Sequence, residues 1–230
     1  MSESPSSPVV PMARRQARAV ATRTAILDAA SREFALHGYQ AASLSRILER
    51  SGVTKGALYF HFTSKEAMAE CIVEVMEQHL PLVLAEVEGR GHDALTTAVH
   101  LAIGLADFLD AVPGAKAGLR ITNEGALGEQ RRAWPYRFWE DAFTSLLCRA
   151  GREGRLRDDA GDVAALARTI VALGVGHRSI STATVGLTDL RERVEASWAL
   201  LLPRIGTEAW LEGFAAAGGL ASLPPGPGGG

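Results

Sequence analysis

The stretch SLSRILERSGVTKGALYFHF, residues 43–62, decides the fold of this chain. Ser43 can begin a helix, because its short hydroxyl accepts hydrogen bonds from the free N–H groups of a first turn. Apolar residues follow at helical spacing, and Gly52 stands where this helix should end, since glycine adopts the left-handed conformation without steric cost. Thr54 can then cap a second short helix over residues 55–60. Two short helices around a glycine-bearing turn predict a helix-turn-helix, the motif that places its second helix in the major groove of DNA.

The second of these helices carries residue types that suit DNA recognition. Gly56 is small, so the helix backbone can approach a phosphate or a base edge closely. Lys55 and Tyr59 are polar and lie near its start or along one side, whereas Leu58 and Phe62 are apolar and can pack inward. A helical hairpin that serves only packing is the alternative, and a short helix-turn-helix pattern alone does not exclude it.

A longer string makes the pattern more specific. The sequence GVTKGALYFHFTSKEAM, residues 52–68, resembles the DNA-binding signature of TetR-type transcriptional repressors. The resemblance implies an all-α fold, in which a three-helix DNA-binding domain is joined by a linker helix to a helical domain for ligand binding and dimerisation. It also implies double-stranded operator DNA as a partner, and no catalysis.

The residues ahead of the first predicted helix are basic. Arg14 and Arg18 belong to a segment that we expect to be a flexible arm, which can reach phosphates or the minor groove. A solvated charge run is the equal alternative. Thr22 begins the first predicted helix, over about residues 22–37. The N-terminus of this helix can donate hydrogen bonds to a phosphate, through Thr22 or Thr24. The candidate DNA-binding residues are Arg14, Arg18, Thr22, Ser43, Thr54, Lys55, Gly56, Tyr59, His61 and Lys65.

The charge distribution agrees with a small phosphate-binding module on a larger body. The chain of 230 residues is 47% hydrophobic and 22% charged, with a net charge of −2. Residues 13–70 hold nine basic and five acidic side chains, a net +4, so the remainder carries −6. The 2 cysteines show no CxxC spacing, and we expect no metal and no cofactor. No apolar run approaches the roughly 18 residues that span a bilayer, and no signal peptide is evident, so we expect a cytoplasmic protein with no membrane partner.

The rest of the chain is helical by pattern. A capping box over residues 63–66 should start a helix that runs to about Glu88, with a kink at Pro81. Further helices are predicted at about 93–111, 114–123, 134–151, 160–183, 188–202 and 207–217. The expected division is a disordered tail over 1–12, a DNA-binding domain over 13–62, a ligand-binding and dimerisation domain over 63–217, and a second disordered tail over 218–230.

Three stretches resemble one branch of the TetR-type proteins. They are residues 89–91, 116–121 and 138–140, and together they resemble the γ-butyrolactone receptors of antibiotic-producing actinomycetes. The resemblance implies a ligand cavity in which Trp139 covers an alkyl chain. His177 stands where the branch carries a small polar residue, so the ligand's identity stays open. The candidate ligand-binding residues are Trp139, His177, Met76, Leu80, Leu105, Phe108, Leu119 and Phe143.

The resemblance further implies a homodimer held by the last two long helices. The predicted helices at 160–183 and 188–202 carry small and apolar residues that must be buried somewhere. A dimer would present two recognition helices to a palindromic operator. The alternative is that these helices face only their own core.

The implied function is repression that a small signalling molecule relieves. The signal would be a γ-butyrolactone, butenolide or furan, and the targets antibiotic biosynthesis genes; a pseudo-receptor that responds to antibiotics or their intermediates is the alternative. An enzyme and an architectural DNA-binding protein without ligand are the rival classes. The fragment at 174–179 begins like GxGxxG but lacks its last glycine and a preceding strand, and His92 with His100 lacks a third metal ligand.

Overall fold

The computed structural model describes residues 12–222, and these residues form an all-α protein, as predicted. Its regular elements are helices, and the described part of the chain otherwise holds an isolated antiparallel bridge between Leu156 and Gly206. The elements are α1 Met12–Ala41, α2 Leu44–Ser51, α3 Lys55–His61, α4 Lys65–Glu88, α5 Ala94–Ala111, α6 Pro113–Asn123, α7 Glu129–Arg152, α8 Val163–Thr184, α9 Leu190–Ile205, α10 Glu208–Ala216 and a 3-10 turn Gly219–Ser222.

The first helix is longer than the sequence predicted. It begins at Met12, so Arg14 and Arg18 lie on a regular helix and the expected flexible arm is wrong at these positions. The segment contains no glycine or proline, and its alanines and arginines are good helix formers. The helix breaks at Gly38, as expected, where φ is +77° and a single turn follows to Ala41. The disorder predicted for 1–12 otherwise concerns residues 1–11, which lie outside the described residues.

The helix-turn-helix has nearly the boundaries that its sequence predicts. Gly52 ends α2 in the left-handed conformation, with φ at +66°. The Thr54 hydroxyl accepts from the N–H of Ala57 and so begins α3. Ser43 precedes α2 but its hydroxyl makes no capping bond. Ser64 begins α4 by accepting from the N–H of Ala67, so the capping position is one residue later than the predicted box at 63–66.

Boundaries nearer the C-terminus also differ from the prediction: α9 ends at Ile205 rather than at 202, because Pro203 lies inside the helix. Helix α7 begins at Glu129 rather than near residue 134, because Pro135 lies within the helix instead of marking its start. Residues 219–222 form a 3-10 turn rather than a disordered tail. The remainder of that tail, 223–230, lies outside the described residues.

The core is continuous from the DNA-binding unit into the body. Buried side chains of α1, α2 and α3, among them Phe34, Ile47 and Leu58, pack together at 1% exposure or less. Helix α4 continues this core into the body, and α6 packs extensively along α1. The DNA-binding unit is therefore held against the body by two helices, α4 through the chain and α6 through tertiary packing.

Helix α8 differs from the expectation that no apolar segment is long enough to span a bilayer. By length and composition Val163–Thr184 is sufficient to cross a membrane, and only 17% of its most apolar window is buried. Helices α5 and α6 meet the same test only when taken together across a bend of 94°. Many residues of α8 are half-buried in the single chain, and Ile180 is 50% exposed.

Candidate DNA-binding face and ligand cavity

The start of α3 presents an open, polar surface. Thr54, Lys55 and Gly56 are exposed, and a side chain added at Gly56 would meet nothing within 4 Å. Tyr59 is 46% exposed, and its neighbour Phe60 is 83% exposed. Two adjacent exposed aromatic rings therefore lie next to the polar start of α3. Phe60 was not among the predicted site residues, although its position one residue after Tyr59 on a seven-residue helix was a signal.

The other predicted residues of this face are partly engaged within the protein. Arg14 and Arg18 are exposed on the first turns of α1. Thr22 donates its hydroxyl to the carbonyl oxygen of Arg18 at 2.9 Å. Ser43 is half-buried, and His61 is half-buried with its ring edge-on to Phe60 at 5.1 Å. The side chains that remain open to a large ligand are thus those at the start of α3 and along α1.

The Lys65 side chain binds backbone groups of the protein and is not free to contact DNA. Its Nζ donates to the carbonyl oxygens of Tyr39 at 2.7 Å, Gln40 at 3.3 Å and Ala42 at 3.3 Å. The ammonium also lies 4.7 Å from the centre of the Tyr39 ring. These contacts use all three N–H donors, so Lys65 leaves the set of candidate DNA contacts.

A buried carboxylate sets the position of α2 against α1. Glu33 is fully buried, and its Oε1 accepts from Arg46 Nε at 2.6 Å and from the N–H of Ser43 at 3.1 Å. Burial alone would raise the pKa of Glu33, but these two hydrogen bonds and the charge of Arg46 outweigh it and lower the pKa. Glu33 is therefore ionised and anchors the start of the helix-turn-helix.

A second feature is a cavity within the body, enclosed by α4 to α9. It measures about 940 Å³, counting the part that opens to solvent. Its wall is mostly apolar, as is usual for sites that bind small organic molecules. All of the candidate ligand-binding residues line it: Met76, Leu80, Leu105, Phe108, Leu119, Trp139, Phe143 and His177.

Trp139 is held in this wall by neighbouring rings. Its indole is 6% exposed and meets the ring of Phe138 edge-on at 4.8 Å. Phe138 in turn stacks on Trp134 at 5.4 Å. This row fixes the indole as one flat wall of the cavity.

The polar groups of the cavity come from α7, α8 and α9. His177 Nε2 lies 2.6 Å from the hydroxyl of Ser197. Burial, followed by the charge of Arg193, lowers the pKa of His177. Tyr136 and Arg178 also line the cavity, and both hydrogen-bond to the side chain of Asn123 when its amide is oriented to satisfy them.

Sequence reasoning missed Tyr136, Arg178 and Ser197. Tyr136 lies one turn before Trp139 on the same helix, and Arg178 adjoins His177, so both could have been inferred from neighbours. Ser197 gave no such signal, because it belongs to a different helix.

A pair of charged side chains joins the cavity wall to the DNA-binding unit. Arg120 Nη1 donates to the carbonyl oxygens of Ala35 at 2.9 Å and Leu36 at 3.0 Å, near the end of α1. Glu124 Oε2 accepts from the N–H groups of Tyr39 at 2.8 Å and Gln40 at 3.3 Å. We call Arg120 and Glu124 the α6 clasp. The α6 clasp hydrogen-bonds to backbone groups on both sides of the break at Gly38. An added Cβ at Gly38 would collide with the Glu124 carboxylate.

Comparison with known proteins agrees with this architecture. Residues 26–72 match the family model "Bacterial regulatory proteins, tetR family", and residues 92–205 match "Tetracyclin repressor-like, C-terminal domain". The A-factor receptor protein of Streptomyces griseus is 38% identical over 192 residues, which cover 83% of this chain and 66% of that protein. The chain thus spans just under two thirds of the length of this relative.

Solved structures give the same assignment. A γ-butyrolactone receptor described as ArpA-like is 31% identical, with a TM-score of 0.76, and the match covers 89% of this chain and 96% of that one. CprB from Streptomyces coelicolor, solved in complex with its biological operator sequence, is 30% identical with a TM-score of 0.73, covering 87% and 96%. The chain therefore belongs to the TetR family of bacterial regulatory proteins, which are DNA-binding regulators and not enzymes.

Proposed function

We propose that this protein is a repressor that binds a palindromic operator as a homodimer and is released by a small signalling molecule. The signal is of the γ-butyrolactone, butenolide or furan type, and the controlled genes are those of antibiotic biosynthesis. The protein acts in the cytoplasm, with residues 13–62 as its DNA-binding domain and 63–217 as its ligand-binding and dimerisation domain. One observation carries this proposal. Helix α6 forms part of the wall of the apolar cavity, and the α6 clasp connects that helix to the end of α1.

Operator contact is assigned to the exposed start of α3 and to the arginines of α1. Thr54, Lys55 and Tyr59 face solvent there, and Phe60 offers an apolar ring suited to a thymine methyl group. Arg14 and Arg18 supply phosphate contacts, which give affinity without reading sequence. This division predicts that Phe60 affects operator choice and that the arginines affect salt dependence.

Dimer formation is assigned to the uncovered faces of α8 and α9. Ile180 is 50% exposed on α8, and Leu200 is 81% exposed on α9. Ala172, Gly176, Ala196 and Ala199 accompany them at helical spacing, which lets two helices approach closely. Burial of this stripe against a second copy would also explain why so apolar a helix as α8 keeps exposed apolar residues in one chain.

Ligand binding is assigned to the cavity. An alkyl chain would lie against Trp139 and the apolar wall, while Tyr136, His177 and Ser197 face the polar head. Tyr136 and Ser197 can donate hydrogen bonds to a carbonyl oxygen, the acceptor that a lactone, butenolide or furan carboxylate shares. The receptors of similar fold carry the same lactone class in their names.

Transmission is assigned to α6. Leu119 lines the cavity, and Arg120 on the same helix and Glu124 directly after it hold the end of α1. Gly118 packs so closely on Met76 that an added Cβ would lie 2.8 Å from its sulfur, so a shift of α6 toward α4 would press directly on Met76. A ligand acts by preferring the arrangement in which the two α3 helices no longer match the operator.

The test is a fluorescence anisotropy titration of the purified protein on DNA from upstream of its own gene. The expected result is binding at low salt and dissociation on addition of a synthetic γ-butyrolactone with an alkyl side chain. The matched control is the ring-opened hydroxy acid of the same chain length. Release by antibiotic intermediates but not by the lactone would favour the pseudo-receptor, and absence of binding at every concentration would overturn the proposal.

A further inference from the structure

A second cavity lies away from the first and shares none of its lining residues. It measures about 1010 Å³, counting the part open to solvent, and is formed by the start of α5, the loop after α7, helix α10 and the 3-10 turn. Its wall has a polar side and an aromatic side. The lining residues that carry the argument are His92, His100, Arg155, Trp210 and Phe214.

The polar side offers hydrogen-bond donors. His100 is 7% exposed, and its Nδ1 is buried without a hydrogen-bond partner among the described residues. The ring of His92 lies 4.5 Å from that of His100, centre to centre. The Arg155 guanidinium forms no hydrogen bond or ion pair with another side chain in the described part of the chain, although its charge acts on Asp93. The Arg155 guanidinium and the unpartnered buried Nδ1 of His100 line the same cavity, and such a pair of groups suits an anion.

The acidic residue of this cavity is already satisfied. Asp93 Oδ1 accepts from the N–H groups of Leu95 and Thr96 and from Trp210 Nε1 at 3.0 Å. Its Oδ2 accepts from the hydroxyl of Thr96 at 2.6 Å. Both oxygens of Asp93 are therefore occupied by hydrogen bonds, so its carboxylate is not open to bind a cation. Residues 12–222 hold no group of three or more His, Cys, Asp or Glu side chains placed to bind a metal ion.

The aromatic side is held in place by neighbouring groups. Trp210 and Phe214 stack at 4.8 Å with 13° between their planes, and the bond from Trp210 to Asp93 prevents rotation of the indole. Gly206 supports the indole from behind, since an added Cβ there would lie 3.0 Å from it. Trp210 is 5% exposed, so this side offers a ligand an apolar contact mainly through the half-buried Phe214 ring.

The backbone around Arg155 is equally fixed. The N–H of Arg155 donates to the carbonyl oxygen of Ala150 at 2.8 Å, and its own carbonyl accepts from Thr207 at 2.9 Å. The next residue, Leu156, forms the bridge to Gly206. The guanidinium thus projects from an ordered segment, so little backbone entropy is lost when it binds a ligand.

We infer that this second cavity binds a small organic acid, with its carboxylate on Arg155 and His100 and its apolar part against the side of the Trp210–Phe214 stack that the cavity leaves open. Arginine is suited to this contact because its planar fork matches a carboxylate. The site is separate from the signal-binding cavity of the proposed function. Its test uses no DNA, so the two can fail independently.

The experiment is a ¹⁹F NMR titration of the full-length protein with 4-(trifluoromethyl)benzoate and, in parallel, with the neutral 4-(trifluoromethyl)benzyl alcohol. The acid is expected to bind about tenfold more tightly than the alcohol, because a charge-assisted hydrogen bond supplies the difference. R155Q should reduce binding of the acid by about the same factor and leave that of the alcohol unchanged. R152Q, on the last turn of α7 and outside the cavity lining, is the matched control and should bind like the wild type.

Three results would overturn the inference. One is equal affinity for the acid and the alcohol, and another is an R155Q variant that binds the acid like the wild type. The third is loss of binding in R178Q but not in R155Q, which would place the probe in the first cavity. Arg155 is exposed and its backbone bonds do not involve the side chain, so R155Q should fold; circular dichroism checks this.

Discussion

Glu33 shows how one side chain can fix the geometry of a DNA-binding unit. It lies on α1, is fully buried, and receives hydrogen bonds from Arg46 within α2 and from the backbone of Ser43 just before it. Ser43 was predicted to begin α2 through its hydroxyl, but the contact that holds it is its own N–H on Glu33. The sequence could not reveal this, because the partner lies ten residues earlier on another helix.

Replacing Glu33 by Gln should destabilise the protein in a pH-dependent way. The folded-state pKa of Glu33 is below its ordinary value of 4.5, so its contribution to stability is present at higher pH and is lost as pH falls through the folded pKa. Loss of the charged hydrogen bonds should lower the free energy of unfolding by about 1–3 kcal/mol at pH 7. Urea titrations of wild type and E33Q from pH 7 to pH 3 measure the difference, which should shrink below about pH 4.5. A constant difference at every pH would contradict this account.

Trp139 should be needed for ligand response rather than for operator binding. W139A removes one wall of the first cavity, and loss of that apolar contact should weaken lactone binding by at least about tenfold. Operator affinity should stay within about twofold, since Trp139 lies in the body. W134A is the control, because Trp134 belongs to the same aromatic row but does not line the cavity. Equal loss of lactone response in both variants would show that the row matters only for folding.

At the scale of the elements, signals close together in the sequence, such as capping residues, predicted most helices. The wrong assignments came from contacts between residues far apart in the sequence. Gly52 and Thr54 act within their own turns, so the boundaries of α2 and α3 were predictable. Lys65 was assigned to DNA because it is basic and close to the motif. Its carbonyl partners lie more than twenty residues earlier at the end of α1, and no local pattern shows them.

The α6 clasp should transmit the ligand signal. E124Q keeps the shape of the side chain but weakens its bonds to the N–H groups of Tyr39 and Gln40, each worth about 0.5–1.5 kcal/mol. We expect the lactone to bind E124Q with nearly unchanged affinity, while the lactone-induced fall in operator affinity is reduced by about threefold or more. Calorimetry of the lactone and anisotropy on the operator separate the two quantities.

The control for the clasp is E129Q. Glu129 is exposed at the start of α7 and outside the clasp, so this substitution removes the same charge without touching α1. If E129Q reduces the response as strongly as E124Q, net charge rather than the clasp is responsible. If neither variant changes the response, the signal travels through α4 alone.

At the scale of the whole molecule, the apolar part of the candidate site was predictable and its polar part was not. All eight candidate ligand-binding residues line one cavity, because apolar faces of neighbouring helices must converge in a core. The hydrogen bond of His177 to Ser197 joins α8 to α9, and the contacts of Asn123 join α6 to α7 and α8. Such contacts depend on helix packing angles, which sequence periodicity does not specify.

Oligomeric state is also a property of the whole molecule. We expect the exposed apolar stripe on α8 and α9, which includes Ile180 and Leu200, to determine it. L200E places a charge on a residue that is 81% exposed in the single chain, so the monomer should fold normally. In a dimer that buries this stripe, the unpaired charge would cost several kcal/mol. Sedimentation equilibrium should therefore find a monomer, and operator affinity should fall by at least about a hundredfold, since one short helix reads too few bases.

L82E is the matched control for this experiment. Leu82 is 63% exposed on α4, away from the stripe, so L82E should remain a dimer with wild-type affinity for the operator. If both variants stay dimeric, the chains associate through another surface, and the apolar face of α8 needs a different partner. If L200E is monomeric but still binds the full operator tightly, each copy recognises its half-site independently. The two-fold arrangement would then contribute little to affinity, and a ligand that alters the separation of the α3 helices could not release the protein from DNA.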